Sequence, residues 1–305
     1  MEEAGKNNKI FPASQLLIMN NFYYIRYTMK KEIIDFIKNS IKDYNYKGAV
    51  IGISGGIDSA VVGTLLVEAL GPENVFGLLL PERDSAKSTI RESKLVCRHL
   101  GIEYKLIRLT GILRKKGIYR LQPPAFIFPR KIQERYTRNI WLKGGEDTYL
   151  KDLATEGDRK FLAGLAYYRI KHRTRMTMLY FEAEKRQYAV VGCTNKTELK
   201  TGFYVKWGDD SVDIEPILHL YKTQVYALAK ELGIPDEIMK KPPSPDIAPG
   251  ITDEFALGYP YNDVDRILEK IEKGEDTGNE NPGAVKRIKE ILHYADYRNV
   301  RQLQI

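Results

Sequence analysis

Cysteine is scarce in this chain. Two residues in 305, Cys97 and Cys193, cannot build a disulfide framework or a zinc cage, so a reducing compartment is the natural setting. Long apolar runs are missing too: none approaches the ~20 residues that a membrane-spanning helix needs. The opening Met1-Glu2-Glu3, followed by Lys6, lacks the basic-then-apolar order of a secretory leader. The expected location is therefore the cytoplasm, with no membrane contact. Histidine is sparse, and His99, His172, His219 and His293 show neither metal-ligand nor triad spacing. All four are expected at the surface. No internal repeat and no low-complexity tail interrupts the chain.

What is present is ordinary for a folded enzyme. With 43% hydrophobic and 29% charged residues, the chain can bury one large α/β core or two modest ones. The net charge of +8 favours anionic ligands, and a nucleotide satisfies that preference without nucleic acid.

The most informative stretch is Ser54-Gly55-Gly56-Ile57-Asp58-Ser59. It follows the short apolar run 48–53, fit for a buried parallel strand, and precedes 59–70, whose apolar spacing is helical and stops at Gly71. Glycines there let backbone N–H groups approach phosphate oxygens at a helix N-terminus. A Walker-type loop would carry Gly-Lys-Ser/Thr; here no lysine is present. Ser-Gly-Gly-Ile-Asp-Ser resembles instead the signature of ATP pyrophosphatases of the adenine-nucleotide alpha-hydrolase type, which cut ATP between its alpha and beta phosphates.

Apolar periodicity continues the alternation, with strand 74–80, helix 85–100 and strand 103–109. This order predicts an α/β fold, a doubly wound parallel sheet flanked by helices, with ligands at the carboxyl ends of the strands. Residues 1–28 read as an irregular, aromatic-rich extension and 29–305 as one domain whose first helix starts near Met29. Between about 113 and 160 the pattern breaks at Pro123-Pro124, Phe128-Pro129 and Lys143-Gly144-Gly145, which reads as a lid-like insertion. A basic helix from Tyr167 to Glu184, a strand over 188–192, and helices over 220–232, 263–273 and 283–293 complete the reading.

The second half narrows the chemistry. Gly192-Cys193-Thr194-Asn195-Lys196-Thr197-Glu198, Gly202 to Asp209, Asp213-Ile214-Glu215-Pro216-Ile217, Leu220-Tyr221-Lys222-Thr223-Gln224-Val225, Lys241-Pro242-Pro243-Ser244 and Pro249 to Glu254 occur in that order. Together with the glycine loop they resemble the ammonia-dependent NAD synthetases over roughly residues 30 to 295. The resemblance implies a ligase that forms a C–N bond: the nicotinate carboxylate of deamido-NAD attacks the alpha phosphorus of ATP, and ammonia then displaces AMP. A carboxylate is a poor electrophile, whereas an acyl-adenylate presents a reactive carbonyl. ATP is thus a co-substrate and magnesium (Mg2+) the implied cofactor. Because the match takes up nearly the whole chain, ammonia is expected free or from a separate subunit. A homodimer is implied as well.

Site residues follow from the same resemblance. Catalytic work is implied for Asp58, Lys206 and Lys241. ATP would be held by Ser54, Gly55, Gly56, Asp58, Ser59, Arg83, Ser88, Cys193, Thr194, Lys241 and Ser244. Deamido-NAD would meet Arg169, Arg173, Tyr180, Lys206, Asp209 and Asp213, and the metal Asp58 and Glu198. Three features depart from the family pattern: Cys193 stands where a threonine is usual, Arg169 where an asparagine is usual, and compact relatives lack the 113–160 insertion. A guanidinium at 169 would suit another acidic acceptor such as nicotinate mononucleotide. Cys193 beside an ATP loop would suit sulfur transfer to tRNA, although no Cys-x-x-Cys pair supports it.

Overall fold

The computed structural model describes residues 13–121, 129–142, 147–244 and 251–299. Its centre is a parallel sheet of four strands: β1 (Ala49–Gly52), β2 (Val75–Leu79), β3 (Glu103–Leu106) and β4 (Ala189–Val191), in the order β3-β2-β1-β4. Ala49 is paired with Val75 on one side and with Ala189 on the other, so β1 is central. Chain order reverses beside β1, where β2 and β4 flank it. At that switch point the crevice beyond the strand ends takes ligands.

Period-two alternation explains why helices cover both faces. Ala49, Ile51, Val75, Leu79, Ala189 and Val191 face one layer, with α1 (Ala13–Asp43), α2 (Ile57–Leu70), α3 (Lys87–Leu100) and α9 (Lys222–Glu231). Val50, Phe76, Leu78 and Val190 face the other, with α4 (Thr110–Lys115) and α7 (Arg159–Glu184). Val50, Ile51, Leu65, Leu66 and Leu78 are fully buried, each contributing about 1.5–3 kcal/mol. A further core joins α6 (Thr148–Ala154), α11 (Asp253–Leu257), α12 (Tyr261–Lys273) and α13 (Pro282–Asn299). The remaining helices are α5 (Arg130–Leu142), α8 (Lys196–Thr201) and α10 (Asp236–Met239).

Two expectations change. Residues 13–28 are not irregular: α1 runs unbroken through Met29, since no proline or glycine interrupts 13–43. Its Ile33, Ile37 and Ile41 are buried at a four-residue spacing against the α2 layer. The expected insertion is largely helical, holding the end of α4, then α5, α6 and the first turn of α7. The Asp158 side chain accepts from the Phe161 N–H at 2.7 Å and starts α7 eight residues before Tyr167. Pro123-Pro124, Phe128, Lys143-Gly144-Gly145 and Pro249-Gly250 lie outside the described residues, as does the Trp141 side chain.

Gly48, just before β1, is closely approached by its neighbours. A Cβ there would lie 2.4 Å from the Asn74 carbonyl oxygen and 2.6 Å from the Tyr188 ring. Gly48→Ala should therefore lower stability by about 1–3 kcal/mol through overpacking. Urea unfolding reads this directly, and an unchanged midpoint would contradict the close approach.

Candidate functional site

The site starts where β1 ends. The chain leaves the sheet at Ile53, turns through Ser54, Gly55 and Gly56, and enters α2 at Ile57. Gly55 has φ of +75°, and a Cβ there would stand 2.8 Å from Glu92 Cβ on α3. Only glycine fits that turn. The Ser54 and Ser59 hydroxyls lie 3.1 Å apart, Gly56 N–H donates to Ser54 Oγ at 3.2 Å, and Ser59 Oγ donates to the Gly56 carbonyl at 3.0 Å. No side chain caps α2, which leaves its N-terminus as an anion-binding end.

Behind the turn lies a buried ion-pair cluster. Lys222 Nζ, on a side chain 1% exposed, donates to Asp58 Oδ2 at 2.6 Å and to Glu198 Oε1 at 3.4 Å. Asn195 Nδ2 donates to Asp58 Oδ1 at 3.1 Å, and Asn195 also caps α8 in a reciprocal box with Glu198. Asp253, also buried, receives the Tyr261 hydroxyl at 2.8 Å. Burial would push Lys222 down, but Asp58, Glu198 and Asp253 outweigh it and hold the ammonium charged. Burial raises the Glu198 carboxyl above its ordinary value, opposed by Lys222 and assisted by Asp58 and Asp253. Asp253 is raised to about 6, again chiefly by burial. The cluster is therefore rich in carboxylates and short of cations.

A cavity of about 300 Å³ opens over this cluster. Among the expected residues, Ser54, Gly56, Asp58, Ser59, Cys193, Thr194, Glu198, Asp209, Lys241 and Ser244 line it. Lys241 Nζ is held by Glu92 Oε2 at 2.7 Å, so the 241–244 segment lies against α3. Ser244 Oγ donates to the Ile251 carbonyl at 3.0 Å. Burial raises the Cys193 thiol well above its ordinary value, with Glu215, Asp58 and Glu198 adding to the effect.

Other expected residues stand outside the lining. Gly55 shapes the turn. Arg83 is drawn into a network with Asp84 at 2.8 Å and the Tyr167 hydroxyl at 2.7 Å, its guanidinium over the Tyr119 ring. Ser88 gives way to Ser85, just before α3, and to Thr89, its neighbour on α3, both of which line the cavity. Arg169 donates to the Asp152 carboxylate at 2.9 Å and to its carbonyl at 2.8 Å. Its guanidinium is thus engaged on α6. Arg173 donates to the Lys206 carbonyl at 3.1 and 3.3 Å, Lys206 Nζ lies 5.6 Å from the Trp207 ring, and the Tyr180 hydroxyl donates to Asp213 at 3.1 Å. These four fall into two pairs, Arg173 with Lys206 and Tyr180 with Asp213, along segment 204–213, whose Gly208, Asp209 and Val212 line the cavity.

The surface expectation holds for His99, His219 and His293 but not for His172. His172 lines the cavity, with Nδ1 3.5 Å from Asp209 Oδ2. Burial pushes Asp209 up, yet His172 and the Val205 N–H outweigh it and hold the carboxylate below its usual value. Lys222, Asn195 and Asp253 lie within the family-like stretches, but nothing in their local sequence marks them as site residues. Arg175, one turn beyond His172, also lines the cavity and donates to the Leu80 carbonyl at 3.3 Å. Among the described residues, no group of three His, Cys, Asp or Glu is placed to hold a metal unaided.

A family model described as NAD synthase matches residues 29–124 and 142–299, leaving 125–141 unmatched inside the expected insertion. The chain is 57% identical over 269 residues to a protein named NH(3)-dependent NAD(+) synthetase from Thermotoga neapolitana, covering 88% of this chain and 93% of that one. Among solved structures it is similar to the NMN synthetase from Francisella tularensis, with a TM-score of 0.68 and 25% identity over 92% of this chain and 97% of that chain. It is equally similar to the NH3-dependent NAD synthetase from Campylobacter jejuni, with a TM-score of 0.67 and 25% identity over 92% and 98%.

Glu215 offers a pH test apart from the ion-pair cluster. Burial raises its carboxyl to about 8, against the Thr194 hydrogen bonds that lower it. A carboxyl raised on folding stabilises below its ordinary pKa and loses that contribution as pH climbs through the folded value. The melting temperature should thus fall between about pH 4.5 and pH 8. Glu215→Gln should flatten the fall in scanning calorimetry; an unaltered slope would remove Glu215 as its source.

Proposed function

Because the chain belongs to the NAD synthase family, we propose that it amidates deamido-NAD to NAD with ATP and ammonia, releasing pyrophosphate and AMP. The observation that carries the site assignment is that one cavity joins the Ser54–Ser59 turn to the Asp58–Lys222–Glu198 cluster. Triphosphate oxygens fit against the uncapped α2 end, with Lys222 below and Lys241 above. Asp58 and Glu198 fit magnesium by their hard oxygens and by the excess negative charge around Lys222; phosphate oxygens and water complete such a shell. When bound, the ion offsets the charge of the departing pyrophosphate.

The chemistry runs in two steps. A carboxylate oxygen of the nicotinate ring attacks the alpha phosphorus, forming a C(O)–O–P bond while the bond to the beta-phosphate oxygen breaks. Pyrophosphate leaves into the glycine turn, where backbone donors are already oriented and need no reorganisation. Ammonia then attacks the activated carbonyl carbon, AMP departs with the bridging oxygen, and the nitrogen sheds a proton. Asp209, which lines the same cavity as the turn, is an apt acceptor for ammonium N–H groups. Arg173, Lys206, Tyr180 and Asp213 border the acceptor end.

Two other readings lose support. The Arg169 guanidinium is satisfied by Asp152, so it adds no new anion site for a mononucleotide acceptor. Cys193 is held as a protonated thiol, unsuited to the thiolate chemistry of sulfur transfer. A cytoplasmic location fits the two free cysteines, and no helix among the described residues is long and apolar enough to cross a membrane. Exposed Tyr44 and Phe181, chain neighbours of the Tyr46 and Tyr180 that share Asp213, supply apolar surface for a homodimer.

The test is to incubate the protein with ATP, magnesium and ammonium together with deamido-NAD, nicotinate mononucleotide or no acceptor. Pyrophosphate and AMP should appear with deamido-NAD alone, and release with only the mononucleotide would overturn the acceptor. Asp58→Asn should abolish pyrophosphate release, whereas full turnover in that variant would remove Asp58 from the site. Cys193→Ser should stay within about tenfold of the parent rate, the scale of one lost hydrogen bond. A fall beyond about 10²-fold would restore sulfur chemistry as a candidate.

A further inference from the structure

Lys222 and Glu198 sit on different helices, as the first residue of α9 and the third of α8. Neither helix alone fixes how they face each other. The element that reaches both is α12, none of whose residues lines the cavity. Asp265 on α12 is 4% exposed. It accepts from Thr197 Oγ1 on α8 at 2.6 Å and from the Thr223 backbone N–H on α9 at 2.8 Å. Thr197 Oγ1 in turn accepts from the Lys222 backbone N–H at 2.9 Å.

The N–H groups of residues 222 and 223 belong to the first turn of α9, which has no intrahelical acceptors for them. Asp265 and Thr197 therefore cap α9 from two other helices, with a carboxylate at the positive end of its dipole. Four residues earlier, on the same face of α12, Tyr261 places its ring centroid 5.6 Å from Lys222 Nζ and donates its hydroxyl to Asp253 at 2.8 Å. One face of α12 thus braces Lys222 at both backbone and side chain, and it holds the residue before Glu198.

We infer that Asp265 is a positioning residue for the nucleotide site, setting the mutual orientation of Lys222 and Glu198 and through it the affinity for magnesium-bound ATP. This rests on the proposed roles of Lys222 and Glu198 but not on the identity of the acceptor. Ion pairs shielded from water are sensitive to separation, and a displacement of about 1 Å at a site can cost about 10²-fold. A small rotation of the first turn of α9 is enough to produce one.

The test is calorimetric titration of the full chain with ATP and magnesium, without acceptor, alongside thermal melting. The variants are Asp265→Ala, Asp265→Asn, Thr197→Val and, as a control, Ile267→Ala, which opens the core on the same helix. Asp265→Ala and Thr197→Val should each weaken binding by about tenfold or more. Asp265→Asn should remain within about threefold of the parent, because its amide oxygen still accepts from Thr223 and its nitrogen can donate to Thr197. Ile267→Ala should melt earlier yet bind ATP as the parent does. If Asp265→Ala does not fold, Thr197→Val carries the test. Parent-like affinity in folded Thr197→Val, or an equal loss in Ile267→Ala at matched melting temperature, overturns the inference. A parent chain that binds magnesium and ATP but makes no NAD would refute the acceptor and leave Asp265 assessable.

Discussion

The ammonium of Lys222 holds together three segments that are far apart in the chain. It is almost wholly withdrawn from water, and Asp58, Glu198 and Asp253 share its charge. Such a charge persists in a protein interior only while its partners do, and removing one partner of a buried pair costs about 3–5 kcal/mol. Asp58 comes from the first βα unit, Glu198 from α8 after the last strand, and Asp253 from the C-terminal helices. The ion pair therefore fastens the glycine turn to the rest of the molecule. It also leaves excess negative charge facing the cavity, so a triphosphate with its metal is a chemically complementary occupant.

The sheet makes this meeting possible. With β1 between β2 and β4, the turns after β1 and β4 open onto the same crevice, and α2 and α8 start side by side from it. A second buried network steadies the loop after β2: Lys171 donates to Glu82 at 3.0 Å and Asp84 at 2.8 Å, while the Tyr119 hydroxyl donates to Glu82 at 2.7 Å. Tyr119 belongs to the segment expected to be inserted. At Tyr119 the chain is thus tied to the loop that follows β2.

Strand and helix alternation from 48 to 109 was legible because buried parallel strands and amphipathic helices repeat with different periods, and the structure moves their ends by only a few residues. The glycine turn was legible because its local sequence carries its function. Lys222 was not: a lysine opening a helix reads as a solvated charge, and its burial depends on Asp58, 164 residues away. Arg83 and Arg169 stand outside the cavity lining for the same physical reason in reverse. Their family-like positions are visible in sequence, while the Asp84 and Asp152 carboxylates that claim them are tertiary neighbours. His172 reads as a surface residue in the sequence because no spacing rule links it to Asp209. The long α1 was obscured by aromatic and asparagine residues of modest helix propensity, although the absence of proline and glycine pointed to continuity.

The central claim is that this site joins a carboxylate oxygen to the alpha phosphorus of ATP. Heavy-oxygen labelling of the deamido-NAD carboxylate tests it most directly, with the products separated and weighed by mass spectrometry. The bridging oxygen stays with the nucleotide when ammonia takes the acyl group, so the account requires label in the phosphate of AMP and none in pyrophosphate. Unlabelled AMP, or label in orthophosphate, would place the attack on another phosphorus and contradict it.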